Sequence, residues 1–332
     1  MRSGSKGAQL AIVMAAALLV MGISAIKLAM EPVSAGAGEL IEVFIPEGSS
    51  TAAIASLLQE KGLIASGFAF KAYVKLAGLD GQLKYGRYDF AKAETMASMA
   101  RKLSLGLQKG VVLRVPEGYT ARQIAARAES LGLADYDEFM GLVEEPGDEL
   151  LSIIPFKLSG GLEGFLFPDT YEFSEGAGAK AVIEAMLANF EDKAGSKIAS
   201  SLKLDLSPVQ VVVLASIVEK EALLSSELPV VAGVFMNRLR INMALQSCAT
   251  VQYLLPEPKA VLSKEDTLIK SPYNTYLTTG LPPGPISNPG AAAIDAVLNP
   301  ARHDYLFFVA NGDGSHSFSR TYGEHLQAKF SN

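Results

Sequence analysis

The spacing of apolar residues along the chain changes character several times. Residues 10–26 read LAIVMAAALLVMGISAI, seventeen positions without a charge, with Arg2 and Lys6 before them and Lys27 after. As a helix they cover roughly 26 Å, enough for the hydrocarbon core of a bilayer once Lys27 snorkels. The positive flank keeps residues 1–7 in the cytoplasm and exports everything beyond 8–30. A cleaved signal peptide has a shorter apolar stretch of about 7–15 residues, so the segment reads as a single-pass anchor, although small residues at 33–37 offer a cleavage site.

After a linker over 31–40 the pattern becomes repetitive. Ile45-Pro46-Glu47-Gly48 returns as Val115-Pro116-Glu117-Gly118, Ile54-Ala55 as Ile124-Ala125, and Gly62-Leu63 as Gly132-Leu133. Gly86-Arg87-Tyr88-Asp89-Phe90 has its counterpart in Asp169-Thr170-Tyr171-Glu172-Phe173, and each is followed by an amphipathic stretch. Each copy therefore predicts strand, helix, short helix, strand, helix. Ser49, Ser50 or Thr51 caps the opening helix of the first copy and Thr120 that of the second. The two related α+β units fill residues 41–195, and a scaffold or binding platform is the plain expectation for them.

From residue 196 to 332 the texture differs. Ser207-Pro208 marks a helix start, followed by VQVVVLASIVEKEALL, which is apolar on all sides for about ten residues. Such a helix belongs in a core. Its end carries Glu219, Lys220 and Glu221, where the helix dipole and apolar neighbours both disfavour a charged carboxylate, as a general acid near neutral pH requires. The same triplet also reads as the point where a core helix meets water, and these residues alone do not choose between Glu219 and Glu221. A second helix is expected over 227–240 with Ser226 as cap. SPYNTYLTTGLPPGPISNPG (271–290) sets Tyr273, Asn274 and Tyr276 on a Gly- and Pro-rich loop. That loop reads either as a surface turn or as a saccharide platform, rings stacking on sugar faces and amides bonding hydroxyls. Asn288-Pro289 opens a further helix, and 305–310 with 316–318 forms a hairpin around Asn311-Gly312-Asp313-Gly314.

Composition narrows the function classes. With 29 Lys and Arg against 35 Asp and Glu, a net charge of −6, the chain lacks the basic excess that nucleic-acid binding needs, and no nucleic-acid partner is expected. The single cysteine, Cys248, excludes an internal disulfide. His303, His316 and His325 are never spaced as a ligand pair, so no metal and no cofactor is expected. Ser200-x-x-Lys203 lacks the companion boxes of penicillin-binding proteins, and the glycines of 176–181 lack the βαβ setting of a dinucleotide site and read as a loop.

Residues 162–173 (LEGFLFPDTYEF), 214–222 (LASIVEKEA), 234–240 (VFMNRLR), 245–247 (LQS) and 273–290 (YNTYLTTGLPPGPISNPG) together resemble the endolytic murein transglycosylase, or YceG-like, family. The resemblance runs from the anchor to the C-terminus. It implies an α+β fold: a single transmembrane helix, a duplicated LysM-like α+β region over 41–195 and a mixed α+β catalytic domain over 196–332. It implies an inner-membrane, single-pass protein with its bulk in the periplasm. Such a protein cuts the MurNAc–GlcNAc bond of nascent peptidoglycan, leaves 1,6-anhydro ends and so ends strand elongation. Glu219, the first acid of the I-V-E-K-E block, is then the catalytic residue. Gln246, Ser247, Tyr273, Asn274, Thr275 and Tyr276 lie along the glycan cleft, with Glu163, Asp169 and Glu221 as supporting acids. Because the nucleophile is the substrate's own C6 hydroxyl, one acid suffices, unlike the carboxylate pair of ordinary glycosidases. Peptidoglycan glycan strands are the expected partner, with peptidoglycan synthases as further candidates. One departure stands out: many relatives follow L-Q-[ST] with Asp-Pro-Thr, whereas this chain has Cys248-Ala249-Thr250. The competing expectation is a non-catalytic, membrane-tethered peptidoglycan-binding scaffold.

Overall fold

The computed structural model describes residues 31–33, 40–106, 109–158, 160–201 and 205–331. The expected anchor over 8–30 and Lys203 lie outside the described residues. Among the described residues no helix is long and apolar enough to cross a membrane. The chain divides into two compact units, one through Gly110 and one from Val111.

In the first unit β1 (Leu40–Ile45) pairs antiparallel with β2 (Gly86–Ala91), Leu40 opposite Ala91 and Ile45 opposite Gly86. Between them in sequence lie α1 (Thr51–Glu60) and α2 (Gly67–Leu76), and α3 (Met96–Leu105) follows. Alternation in the strands turns Val43, Ile45, Tyr88 and Phe90 to one face, where they close a core with Leu58, Phe70 and Leu103. Ser50, Ser66 and Thr95 cap the three helices by accepting the backbone N–H three residues on, in the first turn.

The second unit begins with the same order. β3 (Val111–Arg114) pairs antiparallel with β4 (Thr170–Phe173), separated by α4 (Ala121–Ser130), α5 (Tyr136–Glu144) and α6 (Asp148–Leu151), and α7 (Ala179–Phe190) follows. Thr120 caps α4 in a reciprocal box with Gln123. The order strand, helix, helix, strand, helix thus occurs in both segments, with α6 added in the second. Here the core is not private. Leu113, Ile124, Phe165 and Phe190 belong to one apolar cluster with Val212, Ile217, Phe235 and Ile294. The second copy therefore shares its core with the region beyond residue 196.

A short π-turn (Glu191–Gly195) and α8 (Ser196–Ala199) lead to α9 (Pro208–Glu221). Ser207 and Gln210 form a capping box, Pro208 takes the first helical position, and every residue from 211 to 218 is buried. Its six buried Val, Leu and Ile side chains contribute on the order of 10 kcal/mol, ample to hold a poorly ionising acid at the helix end. α10 (Leu228–Arg240) and α12 (Ala291–Leu298) pack against α9, and α11 (Cys248–Gln252) lies near its C-terminal end. Two expected helix starts are corrected. A 3-10 turn, Ser225–Glu227, precedes α10, so Ser226 caps nothing. α12 begins after Gly290, because the Asn288 amide is engaged elsewhere. β5 (Phe307–Ala310) pairs with β6 (His316–Ser319), and α13 (Tyr322–Ser331) closes the described chain.

Candidate active site

Two residues of an α-helix separate side-chain directions by about 200°, so Glu219 and Glu221 leave the last turn of α9 toward different surroundings. Glu219 accepts the Gly290 N–H at 3.0 Å. Burial, then the negative charge of Glu117, raises its carboxyl above the usual range, against the Gly290 N–H and Lys220. The Pro116-Glu117-Gly118 turn of the second repeat presses on this spot. Lys220 donates to the Gly118 carbonyl at 3.3 Å, and a Cβ on Gly118 would stand 3.4 Å from Glu219 Cγ.

Glu221 borders a cavity of about 380 Å³ together with Arg238, Gln246, Cys248, Tyr276 and the β5–β6 and α13 side chains Phe308, His316 and His325. The Ser247 hydroxyl donates a short hydrogen bond to its Oε1. Burial is the largest influence and pushes its carboxyl up. Ser247, the Ala249 N–H, His316 and Arg238 pull the other way. A proline at 249 would have no N–H to give. Ala249 thus places a donor on Glu221, and the Cys248 sulfur lies 3.1 Å from the Tyr276 hydroxyl. Arg238 is buried, with Nε donating to Leu306 O at 2.6 Å and Nη1 to Leu245 O.

The residues expected along a glycan cleft separate into three groups. Gln246, held at φ +48° with its N–H on Thr275 O, and Tyr276 line the Glu221 cavity, with Ser247 bonded to the acid itself. Asn274 and Thr275 are fully buried. Asn274 donates to the carbonyls of Thr267 and Ile269 at 3.0 and 2.8 Å, while Thr275 Oγ1 accepts the Ser247 N–H at 3.0 Å and meets Thr250 Oγ1 at 2.9 Å. Their work is to fix the loop that presents Tyr276. Tyr273 belongs to a second cavity of about 700 Å³, shared with Glu163, Arg122 and Tyr253. There the Tyr253 and Tyr273 rings lie 5.3 Å apart and Arg122 stands 5.6 Å over Tyr253.

Glu163 accepts the Ala121 N–H at the start of α4 at 3.0 Å and the Asn288 amide at 2.9 Å, and burial pushes its pKa to about 7. Asp169 sits apart from both cavities, exposed, and bonded to Thr170 N–H and Asn189, which lower its carboxyl. Sequence reasoning missed Asn288, whose amide accepts from Gly164 and Leu166 at 2.9 Å and donates to Tyr119 O and Glu163 at 2.9 Å. Its position in a Pro- and Gly-rich loop, before a proline, was the only signal. Arg238, Glu227 and His316 were missed for a plainer reason: their partners lie far along the chain. Among the described residues no group of three His, Cys, Asp or Glu side chains could hold a metal ion.

Fold and site together define a class: a mixed α+β protein with small two-stranded sheets, whose buried helix ends in a desolvated glutamate facing a polar and aromatic cavity. The YceG-like family model matches residues 43–330, and the chain belongs to that family. It is similar to the endolytic murein transglycosylase of Bacillus subtilis, 33% identical over 316 residues that cover 91% of this chain and 88% of that protein. It is 31% identical over 339 residues to the endolytic murein transglycosylase of Streptococcus pneumoniae, covering 90% of this chain and 60% of that longer protein. The crystal structure of a putative YceG-like protein from Listeria monocytogenes is also similar. It has 33% identity and a TM-score of 0.61, with 87% of this chain and 98% of that chain covered.

Proposed function

We propose that the chain is an endolytic lytic transglycosylase of peptidoglycan, a lyase, and that Glu221 is its general acid. The observation that carries this reading is the desolvated Glu221 in a cavity walled by Gln246 and Tyr276, beside Ser247. Glu219, which the family resemblance singles out, is instead spent on Gly290 and crowded by Glu117.

In the proposed reaction protonated Glu221 gives its proton to the oxygen linking MurNAc C1 to GlcNAc, and that C–O bond breaks. The resulting carboxylate takes the proton of the MurNAc C6 hydroxyl as O6 bonds to C1. The products are a 1,6-anhydro-MurNAc end and a GlcNAc hydroxyl, no water is consumed, and the acid is restored. Ser247 and the Ala249 N–H steady the carboxylate between the two transfers. Cuts within nascent strands would end their elongation. Anchoring through residues 8–30 with the folded units in the periplasm, and contact with peptidoglycan synthases, complete the proposal.

The test is mass spectrometry of uncross-linked glycan strands digested by Glu221→Gln and Glu219→Gln. Loss of anhydro ends in the first, on the order of 10²-fold or more, with product retained in the second, is expected. The reverse pattern would return the role to Glu219, and reducing ends from the wild-type chain would make it a hydrolase.

A further inference from the structure

Next to Glu221 the structure holds a carboxylate–imidazole pair that the reaction above leaves unused. Glu227, the residue before α10, accepts the His316 Nδ1–H at 2.6 Å through one oxygen and the His316 backbone N–H at 3.0 Å through the other. A carboxylate only accepts, so the hydrogen resides on Nδ1 and the other ring nitrogen, Nε2, is left for something else. The ring cannot turn away. Phe308 meets it edge-on at 5.3 Å and 90°, Phe318 stands 6.2 Å off, and its side chain is 8% exposed. What remains open faces the cavity that Glu221 lines.

We infer that Glu227 and His316 are a positioning pair for the acid of this cavity, Glu227 holding the imidazole in one orientation so that the ring, when protonated, stands as a cation beside the Glu221 carboxylate. The inference rests on the proposal that Glu221 is the general acid. A carboxylate appears on Glu221 each time it gives up its proton, and a fixed, poorly hydrated cation nearby stabilises that form without reorganising. Arg238 supplies a permanent charge to the same acid, but its guanidinium is tied to two backbone carbonyls. The groups facing Glu221 are Arg238 from α10, Cys248 from α11, Tyr276 from the loop, His316 from β6, and Tyr322 and His325 from α13. Of these, His316 and Arg238 act to lower its carboxyl.

His316→Asn isolates the effect, because the Asn amide reproduces the Nδ1–H donor to Glu227 and leaves the backbone bond in place while removing the charge. In the full chain acting on uncross-linked glycan strands, His316→Asn is expected to lower kcat on the order of 10-fold with KM unchanged. The high-pH limb of the kcat profile should move upward, since Glu221 without its cation keeps its proton longer. Glu227→Gln should do the same more weakly, and thermal unfolding reports whether either variant remains folded. Unchanged kcat and pH profile in a folded His316→Asn chain would overturn the pair, as would a loss confined to KM, which would make His316 a glycan contact. An active Glu221→Gln chain removes acid and pair together. An inactive one beside a wild-type-like His316→Asn chain removes the pair alone.

Discussion

Glu163 shows what burial does to a single residue. Its pKa rises from 4.5 to about 7 through desolvation, despite bonds from Ala121 and Asn288. A carboxyl whose folded pKa exceeds its unfolded one binds more protons in the native state. Its contribution is therefore complete below about pH 4.5 and fades as pH climbs to about 7. Glu163→Gln should abolish that decline, worth up to about 3 kcal/mol. Urea midpoints of both proteins across pH 4 to 8 check it, and parallel curves would refute it. At this scale the sequence was informative about residue types. Glu219 and Glu221 stood out beside apolar neighbours, while Glu163 was named only through the family resemblance. Which glutamate meets a cavity was not legible, because the answer depends on Ser247, Arg238 and His316, which come to α9 from other elements.

Elements were legible where their signals are local. The apolar run and Ser207-Pro208 defined α9, and both strands of the β5–β6 hairpin lay where alternation put them. α10 was misread at its start because Glu227, placed to serve the helix, is drawn to the distant His316. The segment carrying Glu163 has a similar long-range constraint. Gly164 sits at φ +91°, and a Cβ there would fall 2.4 Å from Pro285 atoms. Gly164→Ala is expected to cost about 2 kcal/mol or more, combining left-handed backbone strain with overpacking. A chemical denaturation midpoint equal to wild type would show that the 283–285 loop yields instead.

Over the whole molecule, the duplication was readable from matched tetrapeptides, but the fate of each copy was not. One copy closes on its own core and the other merges with the helices beyond residue 207. Hydrophobic periodicity says that a face is buried, never against what. Two separate cores predict two separable unfolding events. Phe70→Ala, at a fully buried ring of the first core, should cost about 3–5 kcal/mol and lower only one calorimetric transition. A single transition displaced as a whole would contradict this.

The composition of the Glu221 cavity also orders events in time. Its walls are contributed at 221, 238, 246, 248 and 276, and then at 307–325. At translation rates of about 5–20 residues per second, the helix bearing the acid leaves the ribosome on the order of ten seconds before His325 does. Throughout that interval the acid has a scaffold and no chamber. Under the proposed reading, a nascent or truncated chain that stops before the β5–β6 hairpin holds Glu221 without its chamber, and it is expected to leave glycan strands uncut.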